Sequence, residues 1–154
     1  THSTSSAASD VYKRQPSFNR WIEKHLILAD TGIRHTSGDL HSGVWARYEE
    51  VLPHLMEIRQ SGRDMAAAVQ RDDRFNVCAA MNAYTEAVGK LDSSLNEPYQ
   101  ILVDMPDVLA WKGMGAAAGG FVGIISRNPD ATKEAIPWDI LDWQIDQDGL
   151  TISD

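Results

Sequence analysis

Trp111-Lys112-Gly113-Met114-Gly115-Ala116-Ala117-Ala118-Gly119-Gly120-Phe121-Val122-Gly123-Ile124-Ile125 is the stretch on which the fold turns. Its first part is dominated by glycine and alanine, its second by apolar residues. The apolar run is strand-sized and predicts a buried strand over 121–126. Val108-Leu109-Ala110-Trp111 reads as the last turn of a helix, so 113–120 is expected to link a helix to that strand. Small residues let backbone approach backbone or phosphate closely, and successive N–H groups can form an anion nest. Lys112 adds a positive charge. Tight helix–strand packing and an anion-binding loop both fit this pattern. A Walker loop does not, because no Gly-Lys-Ser/Thr closes the stretch. A Rossmann fingerprint does not either, because the glycines precede the strand.

A second stretch, Leu28 to His41, gathers polar groups where a strand ends. His25-Leu26-Ile27-Leu28-Ala29 predicts a short buried strand, stopped by Asp30-Thr31-Gly32. Loops at strand ends commonly carry binding groups on a rigid scaffold. Arg34 can grip a carboxylate or phosphate with two parallel hydrogen bonds. Thr36 and Ser37 can bind a ligand or simply cap the following helix. His35, Asp39 and His41 are irregularly spaced and lack cysteine companions, so no metal site is expected there. His25 and His54 read as packing or surface residues.

Between these stretches the apolar spacing is helical. Val44, Trp45, Tyr48, Val51 and Leu52 share a face, and Pro53 is expected to bend or restart that helix. The pattern continues to Ser61-Gly62. An Ala-rich helix follows over 64–71, then another from Phe75 to about Gly89–Asp92, then one opened by Pro98. Asn128-Pro129-Asp130 starts a short helix. Residues 141–145 and 150–152 alternate around Asp148-Gly149 and predict a terminal hairpin. Helices segregated from a small, mostly antiparallel sheet make an α+β class, specifically a ferredoxin-like two-layer sandwich with helices on one face.

The 154 residues suffice for one domain with a tail, and 43% hydrophobic content supports a folded core. A formal net charge of −8 argues against general nucleic-acid binding or a polybasic membrane surface. No apolar run reaches the roughly 18 residues of a membrane helix. Cys78 is the one cysteine, which excludes an internal disulfide and fits an inert core thiol in a reducing cytoplasm. Asp139, Asp142, Asp146 and Asp148 read as a solvated acidic face, since their spacing is not that of a calcium loop. The five tryptophans are too scattered for a base-stacking platform.

Residues 1–15 are set apart from the fold. The segment lacks the positive start and apolar centre of a signal peptide. Asp10-Val11-Tyr12-Lys13-Arg14-Gln15 can be encoded by a DNA sequence resembling a transposase mosaic-end adapter. The expectation is a non-native tail over 1–15 and a domain over 16–154 that is the C-terminal part of a longer protein.

The domain resembles the C-terminal domain of the GHMP kinases, the superfamily of galactokinase, homoserine kinase, mevalonate kinase and phosphomevalonate kinase. That family's third motif typically reads Ala-Lys-Leu-Ser/Thr-Gly-Ala-Gly-Gly-Gly-Gly before a hydrophobic strand. Trp111 to Val122 aligns with it without a gap, and Leu26 to Ser37 looks like the segment that opens the domain. Met114 stands where Ser/Thr is usual, and Ala117 and Ala118 where glycine is usual. The resemblance implies a substrate-side domain of an ATP- and Mg²⁺-dependent small-molecule kinase, with the decarboxylase branch as a variant. It implies Lys112, Gly113, Gly115, Gly119 and Gly120 near phosphate, and Thr31, Arg34, Thr36 and Ser37 facing an acceptor such as a sugar or mevalonate. The family's Gly-Leu-x-Ser-Ser-type ATP motif, catalytic acid and lysine belong to its N-terminal domain, so the chain alone is expected to be inactive and to expose an apolar face or dimerise. The competing expectation is a stand-alone ferredoxin-like binding or dimerisation module without catalysis.

Overall fold

A computed structural model of the chain describes residues 16–34 and 37–146, with backbone only for 37–41. The calls on residues 1–15, His35, Thr36, Asp148-Gly149 and 150–152 lie outside the described residues.

The order of elements is a helix over 16–25 (α1), β1 (Leu26–Asp30), α2 (Ser37–Ala46), α3 (Tyr48–Gln70) and α4 (Arg74–Leu91). Two 3₁₀ turns follow, Ser93–Leu95 and Glu97–Leu102, then β2 (Val108–Gly113), β3 (Phe121–Ser126), α5 (Pro129–Ala135) and β4 (Asp139–Leu141). The sheet order is β2-β3-β1-β4, and every neighbouring pair is antiparallel. Two interleaved β-α-β units with this order are the ferredoxin-like arrangement. The fold is an α+β sandwich.

Alternation along the strands sorts side chains into two apolar clusters. Ile27, Ala29, Trp111, Val122 and Ile124 pack with Val51 of α3, Val88 and Leu91 of α4, and Tyr99. Leu26, Ala110 and Ile125 meet Ala68, Val77 and Met81, closed by Phe18, Trp21 and Ile22 of α1. Sequence periodicity did not reveal α1, whose ten residues lie partly beside the polar tail. Helix α4 runs along β2. Thr85 Oγ1 donates to the Trp111 carbonyl, and Asn82 Nδ2 donates to the Leu109 carbonyl at 3.0 Å. An edge strand's exposed carbonyls are thereby satisfied within the chain.

Four expectations are corrected. First, residues 108–111 form strand β2 rather than a helical turn, because Ala110 and Trp111 alternate into the two clusters while pairing with Ile125 and Ile124. Residues 114–120 therefore join two strands, and Gly113 belongs to β2. Second, Pro53 does not restart a helix: α3 runs through it from Tyr48, leaving the Glu49 carbonyl without its helical donor, and the break falls at Arg47 instead. Third, α3 runs through Ser61-Gly62, with the buried Ser61 hydroxyl donating to the Ile58 carbonyl at 2.7 Å, so 64–71 is not a separate helix. Fourth, residues 142–146 form no strand arm. The strand is Asp139–Leu141, paired with β1.

Candidate functional site

The register of β1 against β3 matches Asp30 with Phe121. It lays residues 31–34 along the exit of the 114–120 loop. Thr31 donates twice to the Gly120 carbonyl, from its amide and from Oγ1, each at 2.9 Å. The Gly120 amide donates back to the Ile33 carbonyl at 2.9 Å. The two stretches singled out in the sequence thus form one continuous surface.

Asp30 and Arg34 close the far side of this surface. Arg34 donates from both guanidinium ends to the Asp30 carboxylate, at 2.8 and 2.7 Å. The Gly32 amide adds a third bond to Asp30 Oδ1 at 2.9 Å. The Arg34 guanidinium, helped by the Gly32 amide, holds the Asp30 carboxyl down to about 2. Arg34 therefore directs its two-bond face at Asp30. Ser37 begins α2, at the far end of the 31–36 connection.

The loop is built on left-handed backbone. Gly115, Ala117, Ala118, Gly119 and Gly120 have φ of 67°, 62°, 58°, 123° and 66°. Glycine accepts such angles freely and alanine does not. Tyr99 anchors the loop from below. Its buried hydroxyl donates to the Gly119 carbonyl at 2.5 Å and accepts from the Gly119 amide at 3.0 Å. Burial pushes the Tyr99 phenol up, which keeps its proton in place for that bond. The Ala118 amide donates to the Leu95 carbonyl at 2.7 Å. A Cβ on Gly113 would stand 2.8 Å from the Tyr99 ring, so Gly113 answers to packing.

Gly113, Gly119 and Gly120 are thus committed to holding the loop. Among the described residues, the amides of Gly115, Ala116 and Ala117 have no hydrogen-bond partner. Lys112 places its ammonium 4.3 Å from the centre of the Tyr84 ring and forms no ion pair among the described residues. Partial burial pushes its amine down. Three uncommitted amides, with the Lys112 cation three residues before them on the Tyr84 ring, are groups of the kind that hold an oxyanion.

Among the described residues, no group of three or more His, Cys, Asp or Glu is placed to hold a metal. Cys78 is half-buried, with its thiol pushed up by desolvation, as suits an unreactive packing residue. No described helix is long and apolar enough to cross a membrane. Sequence reasoning missed Tyr99, which no motif marks. It also missed the Asp30 partner of Arg34, although an acid four residues before an arginine across a Thr-Gly turn was a readable signal. No family model matches the chain, and no curated protein matches it.

Proposed function

We propose that the chain is the C-terminal, substrate-side domain of an ATP-dependent small-molecule kinase of the GHMP type. The observation that supports this reading best is the bonding of Gly120 to Thr31 and Ile33, which unites the glycine-rich loop and the post-β1 segment on a ferredoxin-like scaffold. Phosphoryl transfer depends chiefly on positioning and charge stabilisation. In this reading the amides of Gly115, Ala116 and Ala117, with Lys112, steady phosphate oxygens. In this reading Thr31 and Arg34 stand on the acceptor side, and nucleotide binding, the catalytic acid and Mg²⁺ are supplied by an N-terminal domain outside this sequence. No step through Mg²⁺ is assigned to this chain.

The test is to sequence upstream of the Asp10 codon in source DNA, express the full frame and assay ATP-dependent phosphorylation of sugars and mevalonate. Transfer by the full protein, with none by residues 16–154 alone, is the expected outcome. A native start codon directly before these residues, or ATP turnover by the chain itself, contradicts it. The former outcome would favour a stand-alone binding or dimerisation module.

A further inference from the structure

The 115–117 side of the loop forms one wall of a cavity of about 320 Å³. Val88 and Leu91 of α4 and Leu95 lie at its base, all buried. Leu55 and Ile58 of α3 make the facing wall. Trp45 and Tyr48 stand at the α2–α3 junction, their rings stacked 5.5 Å apart at 20°. Trp45 is 67% exposed, an unusual placement for so large an apolar side chain.

The chemistry of this lining narrows what can enter. Among the described residues, no Lys, Arg, His, Asp or Glu lines the cavity. The apolar base of the cavity offers an anion no counter-charge, so an anionic group is confined to the loop-amide rim. A sugar would bury hydroxyls that lack partners, each costing the desolvation of an unmade hydrogen bond. An apolar ring would instead replace poorly hydrated surface, and the Trp45, Tyr48 and Tyr84 rings offer faces against which it can stack. The volume lies at the small end of ligand pockets. Gly115, Ala116 and Ala117 of the loop line the cavity, and among the described residues their amides have no hydrogen-bond partner.

We propose that this cavity binds a small molecule made of a planar apolar ring system with a hydrogen-bond acceptor at one end. The ring lies between Leu55, Val88 and the Trp45–Tyr48 pair, and the acceptor meets the loop amides. The cavity would hold such a ligand whether or not the chain takes part in phosphoryl transfer.

The test is a ¹H–¹⁵N NMR titration of the full chain with 2-naphthoate, with galactose as comparator. The expected result is saturable shifts at the Trp45 indole, Val44 and residues 115–117 with naphthoate alone. Leu55→Trp, which fills the cavity, should weaken binding at least tenfold. Trp45→Ala, at an exposed position where folding is not at stake, should weaken it several-fold. No saturable shift, shifts centred on the separate Trp21–Phe75–Leu109 groove, or undiminished binding by both variants would overturn the proposal. Stronger binding of galactose than of naphthoate would also overturn it.

Discussion

Gly119 lies directly against Ile33: a Cβ built on the glycine would stand 2.7 Å from Ile33 Cγ2 and 3.1 Å from its carbonyl oxygen. The contact ties the strand-connecting loop to the segment leaving β1. Gly119 is also the residue gripped at both its amide and its carbonyl by Tyr99.

Gly119→Ala is therefore expected to destabilise the fold. Its φ of 123° is unfavourable for any side chain, and the Ile33 backbone cannot move aside cheaply. Strain and overpacking together should cost about 2–4 kcal/mol. Urea unfolding of the two proteins measures this. A loss below about 0.5 kcal/mol, the usual scale of an inert surface substitution, would refute the contact.

Ala118→Gly should act in the opposite sense. Ala118 holds φ of 58° and is only partly buried, so little packing is lost with its methyl. Relief of left-handed strain, less the added freedom of the unfolded chain, leaves a gain of about 0.5–1 kcal/mol. Thermal unfolding should show a higher midpoint. A lower one would mean that the Ala118 methyl matters more to packing than the backbone does.

The contrast between these neighbours shows how far the sequence could be read. The apolar run at Val122-Gly123-Ile124-Ile125 and the Asp30-Thr31-Gly32 stop were legible because period and turn chemistry are local. Strand β2 was not, because four apolar residues beginning at Val108 fit a helical turn equally well until pairing with β3 is known. The loop's glycines were visible, but their division of labour was not. Gly113, Gly119 and Gly120 serve Tyr99 and Ile33, which are distant in sequence or carry no motif. Gly115 has open space around it.

The Asp30–Arg34 pair gives a pH dependence. The folded Asp30 carboxyl sits at about 2, below its ordinary 3.8. The unfolded state thus binds the proton first, so this stabilisation is complete above about pH 4 and is lost as pH falls toward 2. Carboxyl ¹³C titration should give a midpoint near 2. Arg34→Ala should move it up toward the ordinary value, and an unchanged midpoint would show that the guanidinium is not the cause.

Thr85→Val keeps the side-chain shape and removes the hydroxyl that donates to the Trp111 carbonyl on β2. Leaving that buried acceptor unpaired should cost about 1–3 kcal/mol. Hydrogen exchange should speed up in β2 and α4 before the rest of the sheet. Uniform exchange with unchanged stability would show that the edge does not depend on this bond.

Phosphate recognition by the uncommitted part of the loop is most directly tested by titrating the ¹⁵N-labelled chain with tripolyphosphate. The expected result is saturable shifts at the amides of Gly115, Ala116 and Ala117, weakened by Lys112→Met, with Ala118, Gly119 and Gly120 nearly unmoved because their amides are already bonded. No saturable change at 115–117, or equal weak drift over the whole surface, would contradict a phosphate-holding loop and count against the kinase reading.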